Sequence, residues 1–345
     1  MDMSLIVMWL GFFLASYSVV GNDVIQTLGT FLTSNEKRVK WYILWAFAAS
    51  IMVFALVNGY MDPEVTLHYG RLEKFDLGNI QYDWYYLLPP IVLLAITRSG
   101  IPVSTTFMIL TLFSLSSIPN DLGSMVNSVF DTEQKLGGMI QKSLMGYLIA
   151  FSSAVFFYLA ISRLTEKRFI DNPLSEKERP IWIALQWFFT GFLWFQWLTQ
   201  DLANIYIFLQ GGKNMSVMEF VVSLMILVGL LGYIFYQSGG KVQDVVREKT
   251  NTADIRAATF IDLIYGIILY IFKYDYFGLF EAKLPMSTTW VFIGLLAGRE
   301  LGMRLNLERK VTNKVVKMVL TDLGKVFLGL VISVILVFII KLLQG

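Results

Sequence analysis

Apolar residues run along this chain in long blocks that no charge interrupts. Six stretches hold no Asp, Glu, Lys or Arg, at 4–22, 41–61, 99–120, 143–162, 181–200 and 220–240, and each reaches the roughly 18 residues that a helix needs to cross a bilayer. Shorter runs follow at 84–97, 284–298 and 326–340, the last flanked by Lys325 and Lys341, whose long stems can carry their charges to an interface. Six such blocks are more than a globular core uses, and the pattern predicts an all-α polytopic membrane protein. Its start, Met1-Asp2-Met3, has an acid where a secretory leader carries a basic region, so the first helix is expected to be retained.

Composition agrees with the pattern and removes several chemistries. Hydrophobic residues make 56% of the chain and charged residues 16%, against about 45–50% and about 25% in soluble domains. Zinc, iron–sulfur and thiol sites need Cys or clustered His, and the chain has no Cys and a lone His68 in a polar loop. No cofactor and no enzymatic activity are expected. A net charge of +2 without a basic cluster among aromatics gives no reason to expect nucleic acid.

The basic residues fix a direction. Segments 33–40, 162–180, 237–256 and 299–317 hold 18 of the 28 Lys and Arg, whereas 58–80, 119–137 and 211–214 hold two, one and one. The positive-inside bias places the first group in the cytoplasm and the second outside. The chain then crosses inward at 4–32 from an outside N-terminus and returns at 41–57. An apolar stretch at 82–118 begins and ends outside, so it is expected to be a re-entrant hairpin. A crossing at 138–161 leads to a cytoplasmic linker at 163–180, followed by crossings at 181–210 and 215–236. A second hairpin at 257–298 opens inside, and a last span at 321–343 leaves the C-terminus outside. The run 84–97 has 14 residues and rises about 21 Å as a helix, short of the roughly 30 Å of hydrocarbon. Backbone that stops at that depth is tolerated only where protein or a watery cavity surrounds it.

Two polar clusters inside these segments each occur twice. Gly21-Asn22-Asp23-Val24-Ile25-Gln26 in the first span corresponds to Thr199-Gln200-Asp201-Leu202-Ala203-Asn204 in the fifth, and Pro102-Val103-Ser104-Thr105-Thr106 at one hairpin tip to Pro285-Met286-Ser287-Thr288-Thr289 at the other. Asp23 and Ser104 are 81 residues apart, Asp201 and Ser287 86, so order and spacing repeat together. Each half, 1–162 and 181–345, holds three crossings and one hairpin, and an odd number of crossings turns the second half upside down. This predicts two inverted-topology repeats, with one crossing in each broken near its Asp. Secondary transporters have this arrangement, with the binding site between the repeats.

A single Pro-x-Ser-Thr-Thr in a membrane helix is ordinarily a kink with back-bonded hydroxyls; two copies in register call for another reading. Ser or Thr at the start of a half-helix offers hydroxyl donors beside unpaired backbone N–H groups and the positive end of the helix dipole. Ser104, Thr105, Thr106, Ser287, Thr288 and Thr289 could together enclose a tetrahedral anion. An Asp beside an amide can be a structural node, but a carboxylate in the bilayer costs about 2.5–3.5 kcal/mol, and we assign function to both. Asp23 and Asp201, with Asn22, Gln26, Gln200 and Asn204, supply hard oxygens that suit Na⁺ or H⁺ rather than a transition metal; Na⁺ is expected at Asp23 and Asp201. Coupling has an energetic reason, because a divalent anion entering a negative-inside cell works against about 4.6 kcal/mol at 100 mV, taking about 2.3 per charge.

Other polar residues have blander readings. Arg98 could attract anion or bond carbonyls at its helix end. Asp262 is expected to be structural, paired with Arg256 or Lys273. The charged run from Arg163 to Arg179 reads as a solvated loop, and Trp182, Trp187, Trp194 and Trp197 as interface belt and helix packing.

The segment from Asn22-Asp23 to Gly29-Thr30, the run Thr97-Arg98-Ser99-Gly100-Ile101-Pro102-Val103-Ser104-Thr105-Thr106, their second copies and the segment 311–320 resemble the signatures of the PiT family of inorganic phosphate transporters. The resemblance covers most of the chain and implies a cation-coupled carrier with inverted repeats and a short central loop, as in prokaryotic members. Departures are specific: Phe107 and Trp290 stand where the family has His, Gln200 where it has Asn, Ile25 and Gln26 where it has Ala and Asn, and Lys283 where it has Gly. They leave the anion cradle intact and alter its surroundings. The expected function is import of inorganic phosphate with Na⁺ or H⁺ by alternating access, in a plasma membrane, the inner membrane of a prokaryote. Partners are the anion and the bilayer, with a homodimer admitted. Alternatives are a carrier of another oxyanion such as sulfate, an anion sensor that does not transport, and an intramembrane aspartyl protease. Against the last, no Gly-x-Gly-Asp surrounds Asp201.

Overall fold

In the computed structural model, residues 3–98, 103–116, 118–119, 121–162, 168–237, 254–275, 278, 284–307 and 313–344 are described, and no strand occurs among them. The helices are α1 (Met3–Asn35), α2 (Trp41–Met61), α3 (Leu88–Arg98), α4 (Thr105–Leu115), α5 (Leu122–Phe130), α6 (Lys135–Ile161), a single turn α7 (Arg168–Asp171), α8 (Arg179–Tyr206), α9 (Val217–Tyr236), α10 (Ile255–Tyr274), α11 (Thr288–Leu307) and α12 (Asn313–Gln344). Among the described residues, seven helical segments are long and apolar enough to cross a membrane. Phe130, Phe156 and Phe188, 79%, 77% and 68% exposed, are among many large apolar side chains that the bundle leaves uncovered. The chain is a multi-pass membrane protein.

The two expected hairpins differ in length. In the first, α3 and α4 have 11 residues each, about 16 Å of helix, and both stop within a bilayer's thickness. Its tip, 99–102 with Pro102, lies outside the described residues. In the second, α10 and α11 have 20 residues each, about 30 Å, so α10 is long enough to cross. The Tyr265 hydroxyl, in the middle of α10, donates to the Thr288 carbonyl at 3.0 Å, so the chain doubles back before α11 starts. Lys283 and the linker residues 163–167 are also outside the described residues.

The expected break beside each Asp is absent. α1 runs unbroken past Asp23 and α8 past Asp201. Their polar side chains find partners on the hairpin tips, so the backbone ladder has no need to open. The irregularity in the second half falls later, at Leu209–Gly211, where Gln210 and Gly211 take positive φ.

Packing interleaves the halves of the chain: α4 lies on α12, α6 on α11, α1 on α9 and α2 on α8. Glycines make the closest of these contacts. A Cβ built on Gly294, Gly298 or Gly302 of α11 would lie 2.5, 2.2 or 2.9 Å from the carbonyl oxygens of Tyr147, Phe151 and Val155 on α6, so only a bare backbone permits this approach. The same device recurs crosswise at the tips, where Gly146 on α6 meets Met286 and Gly329 on α12 meets Val103.

Asp262 pairs with neither expected cation. It accepts from Thr30 on α1 at 2.6 Å and Thr190 on α8 at 2.5 Å, pinning two helices. Arg256 instead pairs with Asp254 at 2.6 Å, and the Lys273 ammonium lies 4.7 Å from the centre of the Tyr69 ring. A hydroxyl pair satisfies this buried carboxylate because it contributes donors without a second desolvated charge. Trp194 and Trp197 are buried and stacked at 4.7 Å, which is helix packing and not an interface belt.

Candidate functional site

Ser104 and Ser287 start α4 and α11 as N-caps: each hydroxyl accepts a backbone N–H three residues on, from Phe107 at 3.2 Å and Trp290 at 3.3 Å. Capping uses the oxygen's lone pairs and leaves the hydroxyl proton to donate. The four threonines that follow then start their helices side by side. Thr106 donates to the Met286 carbonyl at 3.4 Å, and Thr289 donates to the Val103 carbonyl at 3.3 Å. Each tip thus lends its third hydroxyl to the residue before the other's serine. Phe107 and Trp290 also meet, edge to face at 5.7 Å, so the two departures from the family His positions fill one shared space.

The carboxylates lie against these tips. Asp23 accepts from Thr105 at 2.6 Å and from Asn22 at 2.6 Å, and the Asn22 amide also donates to the Val103 carbonyl at 2.7 Å. Asp201 accepts from Asn204 at 2.7 Å and Thr106 at 3.3 Å, with Thr288 also beside it. Asn204 reaches both Thr105 at 3.2 Å and Thr106 at 3.3 Å, joining the two groups. All twelve residues singled out from the sequence are buried, none more than 3% exposed. Gln26 is buried with them, but among the described residues its Nε2 has no acceptor.

Among the described residues, three oxygens in this cluster have no hydrogen-bond partner: Asn22 Oδ1, Asp201 Oδ2 and Asn204 Oδ1. Buried acceptors without a partner are costly, and hard oxygens in this number are what a small monovalent cation would coordinate.

Two cations join the site that the sequence reading did not find. Arg71, in the segment between α2 and the first hairpin, is 1% exposed. It donates to the Gln200 side-chain oxygen and, at 3.2 Å, to the Leu284 carbonyl just before the second tip. Lys142 of α6, 3% exposed, donates to the same carbonyl at 3.0 Å. Burial pushes the Arg71 guanidinium down to about 10, with the Asp201 carboxylate opposing, so it remains charged at neutral pH. Its sequence neighbours His68 and Leu72 line a cavity of about 790 Å³ together with Glu73, Asp76, Gln210 and Lys213. Arg98, read as either attracting anion or bonding carbonyls, is exposed at the end of α3.

An all-helical polytopic bundle in which the starts of two helices meet at buried carboxylates matches a transporter fold. No protein-family model matches the chain, and no curated protein does. Among solved structures it is similar to one described as "The sodium-dependent phosphate transporter", with a TM-score of 0.59 and 16% identity over 99% of this chain and 97% of that one. At that identity the likeness is one of fold.

Proposed function

We propose that the protein imports inorganic phosphate together with Na⁺ or H⁺, by alternating access of two inverted repeats, 1–162 and 181–345, in a plasma membrane with both termini outside. The observation that carries this reading is the crossed contact of the Ser-Thr-Thr tips, with Thr105 and Thr106 of the first tip on two buried carboxylates and Thr288 of the second beside Asp201. The fold shared with a sodium-dependent phosphate transporter supports it.

The geometry supplies a reason for coupling. Thr105 gives its proton to Asp23, and Thr106 shares its one proton between Asp201 and the Met286 carbonyl. A phosphate between the tips claims those protons for its own oxygens. Each carboxylate then loses a donor in a buried site, at about 1–3 kcal/mol or more for a charged group. A cation on the carboxylate and the open amide oxygens removes that cost. Anion and cation therefore bind better together than apart, and the linkage is reciprocal.

Proteoliposomes tested with phosphate under an imposed Na⁺ or proton gradient should accumulate it, and Asp23→Asn or Asp201→Asn should abolish uptake. Uptake that ignores both substitutions overturns the mechanism. Competition by sulfate at equal concentration would reassign the substrate to another oxyanion, and phosphate binding without flux would identify a sensor.

A further inference from the structure

The two Asp motifs are alike in sequence but not in how their leading amides are used. Asn22 spends its nitrogen on Asp23 and the Val103 carbonyl and keeps Oδ1 open. Gln200, one carbon longer, sends its nitrogen to the Leu269 carbonyl at 3.0 Å, and its oxygen is taken by Arg71. The guanidinium is held on its other side by the Leu284 carbonyl, which Lys142 also engages. Arg71 is thus fixed between the helix that carries Asp201 and the tip that carries Ser287, Thr288 and Thr289.

We propose that Arg71 is the resident counter-charge of the second motif, so that the coupling cation binds at Asp23 and Asn22 and none binds at Asp201. This rests on the cation-coupled reading above and deepens it. An amide oxygen that accepts a guanidinium has lost its place as a cation ligand. Asp201 Oδ2 and Asn204 Oδ1 have no hydrogen-bond partner among the described residues, yet a cation placed on them would lie in the repulsive field of Arg71, which acts on Asp201, in buried surroundings that weaken screening. At Asp23 the groups facing the carboxylate are Asn22, Thr105 and, across the cluster, Asp201; none carries positive charge. The first motif attracts a cation and the second already has one.

The count of bound cations tests this on the purified full-length protein, using equilibrium binding of ²²Na⁺ and, separately, proton uptake on titration in choline medium, each in the presence of phosphate. Wild type and Arg71→Lys should bind the same number. Arg71→Gln should bind one more Na⁺ or H⁺, and Arg71→Gln combined with Asp201→Asn should lose it again. With Arg71 intact, Asp23→Asn should remove one cation and Asp201→Asn none. That comparison decides the matter even where Arg71→Gln fails to yield folded protein. Equal counts in wild type and Arg71→Gln, zero included, or loss of a cation on Asp201→Asn alone, overturn the proposal. Failure of phosphate uptake in liposomes would instead strike the transport reading and leave the binding count standing.

Discussion

In the proposed mechanism Thr105 occupies the point where the anion and the Asp23 carboxylate compete for one proton. Thr105→Val removes the donor from Asp23 whether or not phosphate is present, so cation binding should cease to depend on phosphate. A hydrogen bond to a charged group is worth about 1.5–3 kcal/mol, so the ratio of cation affinities with and without phosphate should fall at least tenfold, read from paired titrations. Thr105→Ser should restore it. Thr190 has a structural counterpart: Thr190→Val takes one of two donors from Asp262 and should lower the thermal midpoint without altering the cation count. His68 gives a pH signature. Burial pushes its imidazole down to about 4, and its Nδ1 accepts the Leu72 N–H at 3.2 Å. The unfolded chain takes up the proton at about 6.5, so this contribution to stability is complete above that value and is lost as pH falls toward 4. Thermal midpoints measured from pH 7 to 4 should drop less steeply in His68→Gln than in wild type.

These residues were not equally legible. Asp23, Asp201 and the hydroxyl pairs stood out because a polar cluster within an apolar block is rare and this one repeats. Arg71 gave no such signal. It lies in a polar segment where an arginine is unremarkable, and its burial comes from folding that segment back onto the bundle. Lys142 sits at the edge of a charge-free run, where a lysine reads as a boundary. Asp262 was noticed but matched with cations, since sequence offers charges as partners more readily than it offers two threonines from distant helices.

Among elements, the spans were readable from length, and α1, α2, α6, α8, α9 and α12 fall close to where the apolar blocks predicted them. The breaks beside the Asp residues were not there, because whether a helix opens depends on partners that its own sequence does not contain. The α6–α11 contact depends on glycines and makes a sharp test. Gly298→Ala would drive a Cβ to 2.2 Å from the Phe151 carbonyl oxygen and should yield protein that aggregates or elutes heterogeneously on size exclusion. Gly324→Ala, with nothing within 4 Å, should be tolerated or stabilise α12 by up to about 1 kcal/mol.

On the scale of the whole molecule, the interleaving of the two halves bears on how the protein is made. Synthesis delivers α1–α6 first, with the hydroxyls of α4 and the carboxylate of Asp23 already in lipid. The bed for Val103 is Gly329 on α12, which leaves the ribosome after α5 to α11. The first hairpin therefore waits through the synthesis of those helices with the hydroxyls of α4 uncovered, and α12 ends that wait. A chain ending before α12 lacks the surface on which α4 rests and becomes a substrate for membrane quality control. Co-synthesis of α12 as a separate peptide should rescue it, because the missing part is a packing surface, and a packing surface can arrive in trans.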